Sequence, residues 1–274
     1  MHDFDAELHI ELKKKALWVW EETLKIHQCA SETRVASSLS SVEIFVVLYY
    51  SGILEFDSSR PLWAERDRCI VSKGHGSLCL YPILADLGFF PLSELQKVCQ
   101  PGGFLGGIPD PVIPGYETVN GSLGHGVGVS AGMALVLKRR EKKQRVYVVV
   151  GDGELHEGAN WEAFMFASQQ GLNNLTVIVD DNRTCMLGRT DEVLSHRSLA
   201  EKFTAFGWKS KEINGHSIKE IYQAISDTNE TEHKPLAIIA RTIKGHGVPE
   251  LENNPLSHVM GVRSEAIDKL LKKN

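Results

Sequence analysis

Two residues thirty positions apart, Asp152 and Asn182, stand at the ends of two apolar runs in this 274-residue chain. The first run, Val146–Val150, feeds into Gly151-Asp152-Gly153. The second, Leu175–Val179, ends at Asp180-Asp181-Asn182, and a helical stretch lies between them. A carboxylate and an amide delivered together suit a hard cation such as Mg2+. Such an ion takes oxygen ligands near octahedral geometry and completes its shell with carbonyls, water and phosphate. Thr184 offers its backbone carbonyl as a further oxygen. Gly151 and Gly153 permit a tight turn and let backbone N–H groups approach phosphates. The spacing therefore points to a site for a metal ion and a diphosphate. The plainer alternative is a β-turn at Gly-Asp-Gly with Asn182 as a helix cap or loop residue.

The elements that would position these residues can be read from periodicity. Leu8, Leu12, Leu17, Trp20 and Leu24 mark an amphipathic helix from about Phe4 to Cys29. The polar segment Ser31–Ser38 breaks it. Ser40-Ser-Val-Glu43 reads as a capping box opening a helix over Ile44–Tyr50. Asp67–Val71 is a strand, Ser72–Ser77 a loop, and a helix continues to about Leu87. Pro101–Gly126 is too rich in Gly and Pro for a long element, and so long a loop is usually functional. Helices over Gly126–Arg140 and Gly158–Gln170 flank the Val146–Val150 strand. Beyond Leu175–Val179 the alternation repeats: Ser198–Phe206 helix, Trp208–Ile213 strand, Ser217–Thr228 helix, Leu236–Ala240 strand. A polar loop from Lys244 to His258 leads to a helix at Ser264–Leu271. Short apolar strands alternating with helices predict an α/β fold: a three-layer parallel sheet with helices on both faces. No linker or fixed-period repeat divides residues 1–274, so a single domain is expected.

Composition is that of an ordinary globular protein, 42% hydrophobic and 24% charged. A net charge of -5 argues against nucleic acid as a partner. The basic run Lys138–Arg145 reads as a solvated helix end. Five scattered cysteines without a C-x-x-C fit reduced thiols, which with no visible signal peptide makes the cytoplasm the expected location. No apolar run approaches the ~20 residues of a membrane span.

Gly151-Asp-Gly153 followed by Asn182 resembles the thiamine-diphosphate motif. Gly151-Asp-Gly-Glu-Leu-His-Glu-Gly158, Asp180-Asp-Asn182, Ser72-Lys-Gly-His-Gly-Ser77, Glu117–Gly126 and Arg241-Thr-Ile-Lys-Gly-His-Gly247 resemble transketolase, in order, from about residue 12 to residue 258. The match covers the first third to half of a full transketolase, its diphosphate-binding domain. The resemblance implies thiamine diphosphate with Mg2+ (or Ca2+ or Mn2+) as cofactors. It also implies transfer of a two-carbon ketol unit from a ketose to an aldehyde. The pyrimidine and C-terminal domains, which activate the cofactor in the family, would come from a separate subunit. Self-association through the diphosphate domain would give two copies of each chain.

The resemblance also implies roles. Asp152 and Asn182 match the metal ligands, with Thr184 as backbone ligand. Gly153 and Glu154 fall in the diphosphate-contacting segment. His75 matches a histidine near the diphosphate and reacting carbon, although a loop histidine bonded to backbone is the plainer alternative. Gly121, Ser122, Leu123 and Gly124 match the loop against the cofactor, where small residues also serve packing. His258 matches a late active-site histidine, in an unusual context, Leu256-Ser-His-Val-Met260. Glu157 matches a glutamate of the interface network, or caps a helix.

Two positions depart from the family. Arg34 and Ile108 stand where histidines that bind substrate hydroxyls and move protons are expected. Ile108 cannot hydrogen-bond through its side chain. Arg34 suits a carboxylate, phosphate or sulfonate, unless it turns outward. A substrate less hydroxylated near the cofactor, or one carrying an anion, is therefore expected, a pyruvate-like donor among them. Two alternatives remain beside a ketol transferase. One is a carboligase using a 2-oxo acid, as 1-deoxyxylulose 5-phosphate synthase does. The other is a non-catalytic paralogue that keeps the fold without turnover.

Overall fold

The computed structural model describes residues 4–118, 120–226, 233–252 and 254–272. The chain opens with α1 (Ala6–Cys29), α2 (Val35–Leu39) and α3 (Val42–Tyr50), then β1 (Arg68–Val71) and α4 (Leu80–Asp86). After a long loop come α5 (Gly126–Arg139), β2 (Val146–Gly151), α6 (Gly158–Gln169) and β3 (Leu175–Asp181). A hairpin, β4 (Thr184–Cys185) and β5 (Gly188–Arg189), precedes α7 (Thr190–Leu194) and α8 (Leu199–Ala205). β6 (Lys209–Asn214), α9 (Ile218–Ser226), β7 (Leu236–Arg241) and α10 (Ser264–Leu271) complete it.

Five strands pair in the order β1-β2-β3-β7-β6, every pair parallel. β3 is buried at all seven positions, and β2 and β7 at all but their last. This is why the central strands read as unbroken runs of valine and isoleucine rather than alternating ones. Tyr147, Val149, Ile178 and Ile238 face a core built with α1, α3, α4 and α9. Val148, Val150, Val177 and Ile239 face a second core with α5, α6 and α8. Each fully buried aliphatic or aromatic side chain contributes about 1.5–3 kcal/mol, so the sheet is clamped from both sides. Its carboxyl ends are left as a rigid ledge.

Helix starts show where sequence expectations hold and fail. Asp5 caps α1, accepting from Leu8 N–H at 2.8 Å. Ser198 caps α8, accepting from Glu201 N–H at 3.1 Å. The capping box at Ser40–Glu43 does not form. Ser41 holds the cap position of α3 without a side-chain bond, while Ser40 Oγ donates to Asp180 and the Glu43 carboxylate meets His216. The reason is competition: a buried carboxylate demands donors more strongly than a helix terminus does.

The supposed polar break over residues 31–38 partly folds into α2, all five of whose residues are buried. The strand expected at Trp208–Ile213 begins at Lys209 and is polar, as an edge strand can be. The hairpin β4–β5 and α7 were not expected. The helix expected to reach Thr228 is described to Ser226, and its last two positions lie outside the described residues. Among the described residues no helix is long and apolar enough to cross a membrane.

Candidate active site at the strand ends

β2 and β3 are in register with Gly151 beside Asp180, so Asp152 and Asn182 emerge from neighbouring strand ends. Asp152 is buried, and its carboxylate accepts from Thr190 Oγ1 at 2.9 Å. Burial, with Asp181 and Asp180 beside it, pushes its pKa up to about 7. Asp181 is offset by an ion pair to Arg241. Asp152 has no ion pair among the described residues, so the strand ends concentrate negative charge that a cation would neutralise.

Asn182 Oδ1 accepts from Thr184 N–H at 3.1 Å, while its Nδ2 donates to Asp180 Oδ2 at 3.1 Å. The Thr184 carbonyl accepts from Lys244 Nζ at 2.9 Å. Lys244 also lies 2.9 Å from His258 Nδ1. Its own pKa falls to about 8, chiefly through burial, with the charge of Asp152 opposing. His75 and His258 face each other with ring centroids 4.9 Å apart. Burial, then Lys73, His258 and Lys244, lower His75 to about 3. Burial, then Lys244, Arg34 and Lys73, lower His258 to about 4. Both imidazoles are therefore neutral at pH 7, each able to accept a proton at one nitrogen and donate from the other.

Asp180 lies behind this front. Fully buried, it pairs with the equally buried Lys73, accepts from Ser40 Oγ at 2.7 Å and bonds Thr242 Oγ1. Lys73 Nζ also donates to the Ser37 carbonyl at 2.9 Å. Its charge pair overrides the burial that would raise the Asp180 pKa, which is lowered.

Asp152, Asn182, Thr184, His75 and His258, all expected in the site, converge at this end of the sheet. Gly153 packs tightly: a Cβ there would stand 2.8 Å from Cys185 Cβ. Glu154 turns inward rather than toward the ledge. Its carboxylate bonds Ser72 Oγ and accepts from Gly124 N–H at 3.0 Å and Gly151 N–H at 3.3 Å, tying the 121–124 loop to the β2 turn. Gly124 is in the left-handed region at φ +86°, against Glu157. Gly121 and Ser122 are exposed, Leu123 half-buried, and Glu157 is exposed at the start of α6. Ile108 is half exposed, with a methyl 3.8 Å from where a Gly121 Cβ would stand. Arg34 precedes α2, is exposed, and has no ion pair among the described residues; its charge is felt at His258.

Sequence reasoning gave no role to Lys73, Lys244 or Asp180. A signal was present: Lys-Gly-His-Gly occurs twice, at Lys73–Gly76 and Lys244–Gly247, each time after a strand. Both lysines turn into the site, but only the first histidine does. His246 instead stacks on His216, centroids 3.7 Å apart, in a separate crevice of about 600 Å3. Glu43, His216 and His246 there form the metal-type cluster among the described residues. His216 Nε2 accepts from Ile243 N–H at 2.9 Å, which puts its proton on Nδ1 facing Glu43. No lone pair of His216 is left for a cation, so this crevice is a hydrogen-bonded loop junction. A cavity of about 450 Å3 over Asn182, Thr184, Thr242 and Lys244 is the better-equipped space.

The fit to a metal and a diphosphate can be tested on these atoms. The donors at Asp152, Asn182 and Thr184 are all oxygens, as a hard cation requires. The buried ammonium group of Lys244 stands nearby for an anion, while that of Lys73 is committed to Asp180 and the Ser37 carbonyl, and the buried Ser37 hydroxyl has no partner among the described residues. The residues fit the pair.

A parallel α/β sheet with this equipment at its carboxyl edge defines a domain built for a phosphorylated cofactor. The model of the transketolase thiamine-diphosphate-binding domain matches residues 25–274, and the chain belongs to the transketolase family of transferases. It is 35% identical over 261 residues to the 6-deoxy-6-sulfo-D-fructose transketolase subunit SqwG of Clostridium sp. (strain MSTE9), covering 95% of this chain and 94% of that one. It is 34% identical over 279 residues to one of the subunits of the apulose-4-phosphate transketolase of Phocaeicola vulgatus, covering 98% and 97%. Against human transketolase the identity is 35% over 261 residues, but only 41% of that protein is covered. The crystal structure of Campylobacter jejuni transketolase superposes with TM-score 0.90 at 28% identity, over 98% of this chain and 43% of that one. The chain thus spans nearly the whole of the relatives named as subunits and about two-fifths of the others.

Proposed function

We propose that this chain is the diphosphate-binding half of a two-chain transketolase. It holds thiamine diphosphate through Mg2+, and a pyrimidine-domain partner completes the site. The observation that carries the reading is the convergence of Asp152, Asn182 and the Thr184 carbonyl with His75, His258 and Lys244 at one sheet edge. The near full-length match to relatives named as subunits supports the need for a partner.

Asp152, Asn182 and Thr184 would hold the metal, and Lys244 and Gly153 would contact the diphosphate. Bound thiamine diphosphate supplies the electron sink for carbon–carbon cleavage and formation. His75 and His258, neutral at working pH, accept or donate the proton at substrate hydroxyls. Ile108 gives an apolar wall by the 121–124 loop. Arg34 offers a guanidinium with no ion pair among the described residues, whose charge is felt at His258, which favours a donor or acceptor with an anionic group close to the reacting carbons. Two-carbon transfer between such sugars is the leading activity. Decarboxylation of a 2-oxo acid is the second, supported by the same guanidinium.

Calorimetry of the co-purified pair tests the cofactor reading. Thiamine diphosphate should bind only with Mg2+, and Asp152→Ala should abolish it; retained binding refutes the metal assignment. Donor profiling tests the substrate. Release of CO2 from pyruvate selects the second activity. Turnover of xylulose 5-phosphate and ribose 5-phosphate as fast as any other pair removes the anion argument.

A further inference from the structure

An amide ligand has an orientation problem that a carboxylate lacks. Its oxygen can bind a hard cation, whereas its nitrogen presents hydrogens and repels one. Something must fix which end of Asn182 is turned which way. On one side, Thr184 N–H donates to Oδ1 at 3.1 Å. On the other, Nδ2 donates at 3.1 Å to Asp180 Oδ2. A flipped amide would set its N–H2 against the Thr184 N–H and its oxygen against a carboxylate oxygen, two repulsive contacts in a half-buried place.

Asp180 is itself immobilised. It is fully buried, and Lys73, Ser40 and Thr242 hold it from three other parts of the chain. We propose that Asp180 is a positioning residue for the metal site, its carboxylate fixing the Asn182 amide with the oxygen available to the cation. This inference rests on the metal assignment above. Partners one step behind a metal ligand typically change affinity by about 10–100-fold when removed.

The confounding role is that of counterion to Lys73, and two double variants separate it. Lys73→Met/Asp180→Asn and Lys73→Met/Asp180→Leu remove the same charges and are nearly equal in size. Only the first keeps an oxygen for Asn182 Nδ2. Mn2+ is titrated into the co-purified pair with thiamine diphosphate present, free Mn2+ being followed by electron paramagnetic resonance. The leucine variant should bind Mn2+ about 10–100-fold more weakly than the asparagine variant, with metal-free melting temperatures recorded for both. Equal affinities in the two overturn the inference. Failure of the unmodified pair to bind Mn2+ overturns the metal assignment and the inference with it. If the leucine variant does not fold, a crystal structure of the unmodified pair with Mn2+ and thiamine diphosphate decides. Nδ2 of Asn182 should remain on Asp180, and separation of the two refutes the role.

Discussion

Replacing Asp152 by asparagine should make the metal-free chain more stable while destroying its affinity for a divalent cation. The side chain is buried, at 2% exposure, so solvent does little to screen it. Its pKa is about 7 in the folded chain, raised first by burial and then by Asp181 and Asp180. An unfolded aspartate titrates near 3.9. The sign follows from proton counting: between about pH 4 and 7 the folded state holds a proton that the unfolded state has lost. Stability therefore falls as pH rises across that window. About three pKa units at about 1.4 kcal/mol each place some 4 kcal/mol against the ionised native carboxylate at pH 8.

Asparagine has the same shape, can still accept from Thr190 and carries no charge. At pH 8 the variant should gain about 2–4 kcal/mol over the parent, and at pH 4.5 about 1 kcal/mol or less. Urea unfolding of both proteins in chelator at the two pH values measures the difference. If the variant is no more stable than the parent at pH 8, the site is not an electrostatically strained cation seat. In that case metal binding does not relieve repulsion at the strand ends.

Gly124→Ala should destabilise the chain by about 1–3 kcal/mol. The residue sits at φ +86° and a Cβ would stand 2.6 Å from Glu157 Cβ; an unchanged melting temperature contradicts that crowding. His27 should contribute to acid sensitivity. It is buried, its Nε2 accepts from Val262 N–H at 3.0 Å, and its pKa is lowered below 6.5 chiefly by burial. Its contribution is intact above pH 6.5 and lost as pH falls. His27→Gln should flatten the stability profile below pH 6.5, and an unaltered slope would speak against it. Arg34→Ala should cut kcat/KM for an anionic donor by about tenfold or more, the worth of a charged hydrogen bond, while leaving thiamine-diphosphate binding intact. Equal losses for neutral and anionic donors would exclude a charge-recognition role.

The central strands were legible because burial on both faces leaves valine and isoleucine runs that admit few other readings. The Gly151–Asn182 spacing was legible because a strand, a turn and a helix have nearly fixed lengths. Ser40 misled because its sequence neighbours suit a cap, while the residue that claims its hydroxyl, Asp180, lies 140 positions away. β6 was half hidden, since an edge strand can carry Lys209, Lys211 and Glu212 where a central one cannot. Lys73 and Lys244 lay inside recognisable motifs, but local sequence cannot report which long-range partner a lysine will find. Arg34 and Ile108 were visible as departures, and the fold adds that Arg34 lacks a counter-charge among the described residues and that its charge is felt at His258.

The partners of the Asp180 carboxylate come from residues 40, 41, 73, 182 and 242, so it ties together segments far apart in the chain. During synthesis the segment bearing Thr242 emerges long after the others, since a chain leaves the ribosome in order. Until then the carboxylate lacks its Thr242 hydroxyl, and β7, which lies between β3 and the edge strand β6, is missing. The proposed metal site is thus complete only once most of the polypeptide has been made. A chain halted or clipped before Thr242 should therefore lack the hydrogen bond that steadies the Asp180 carboxylate behind that site.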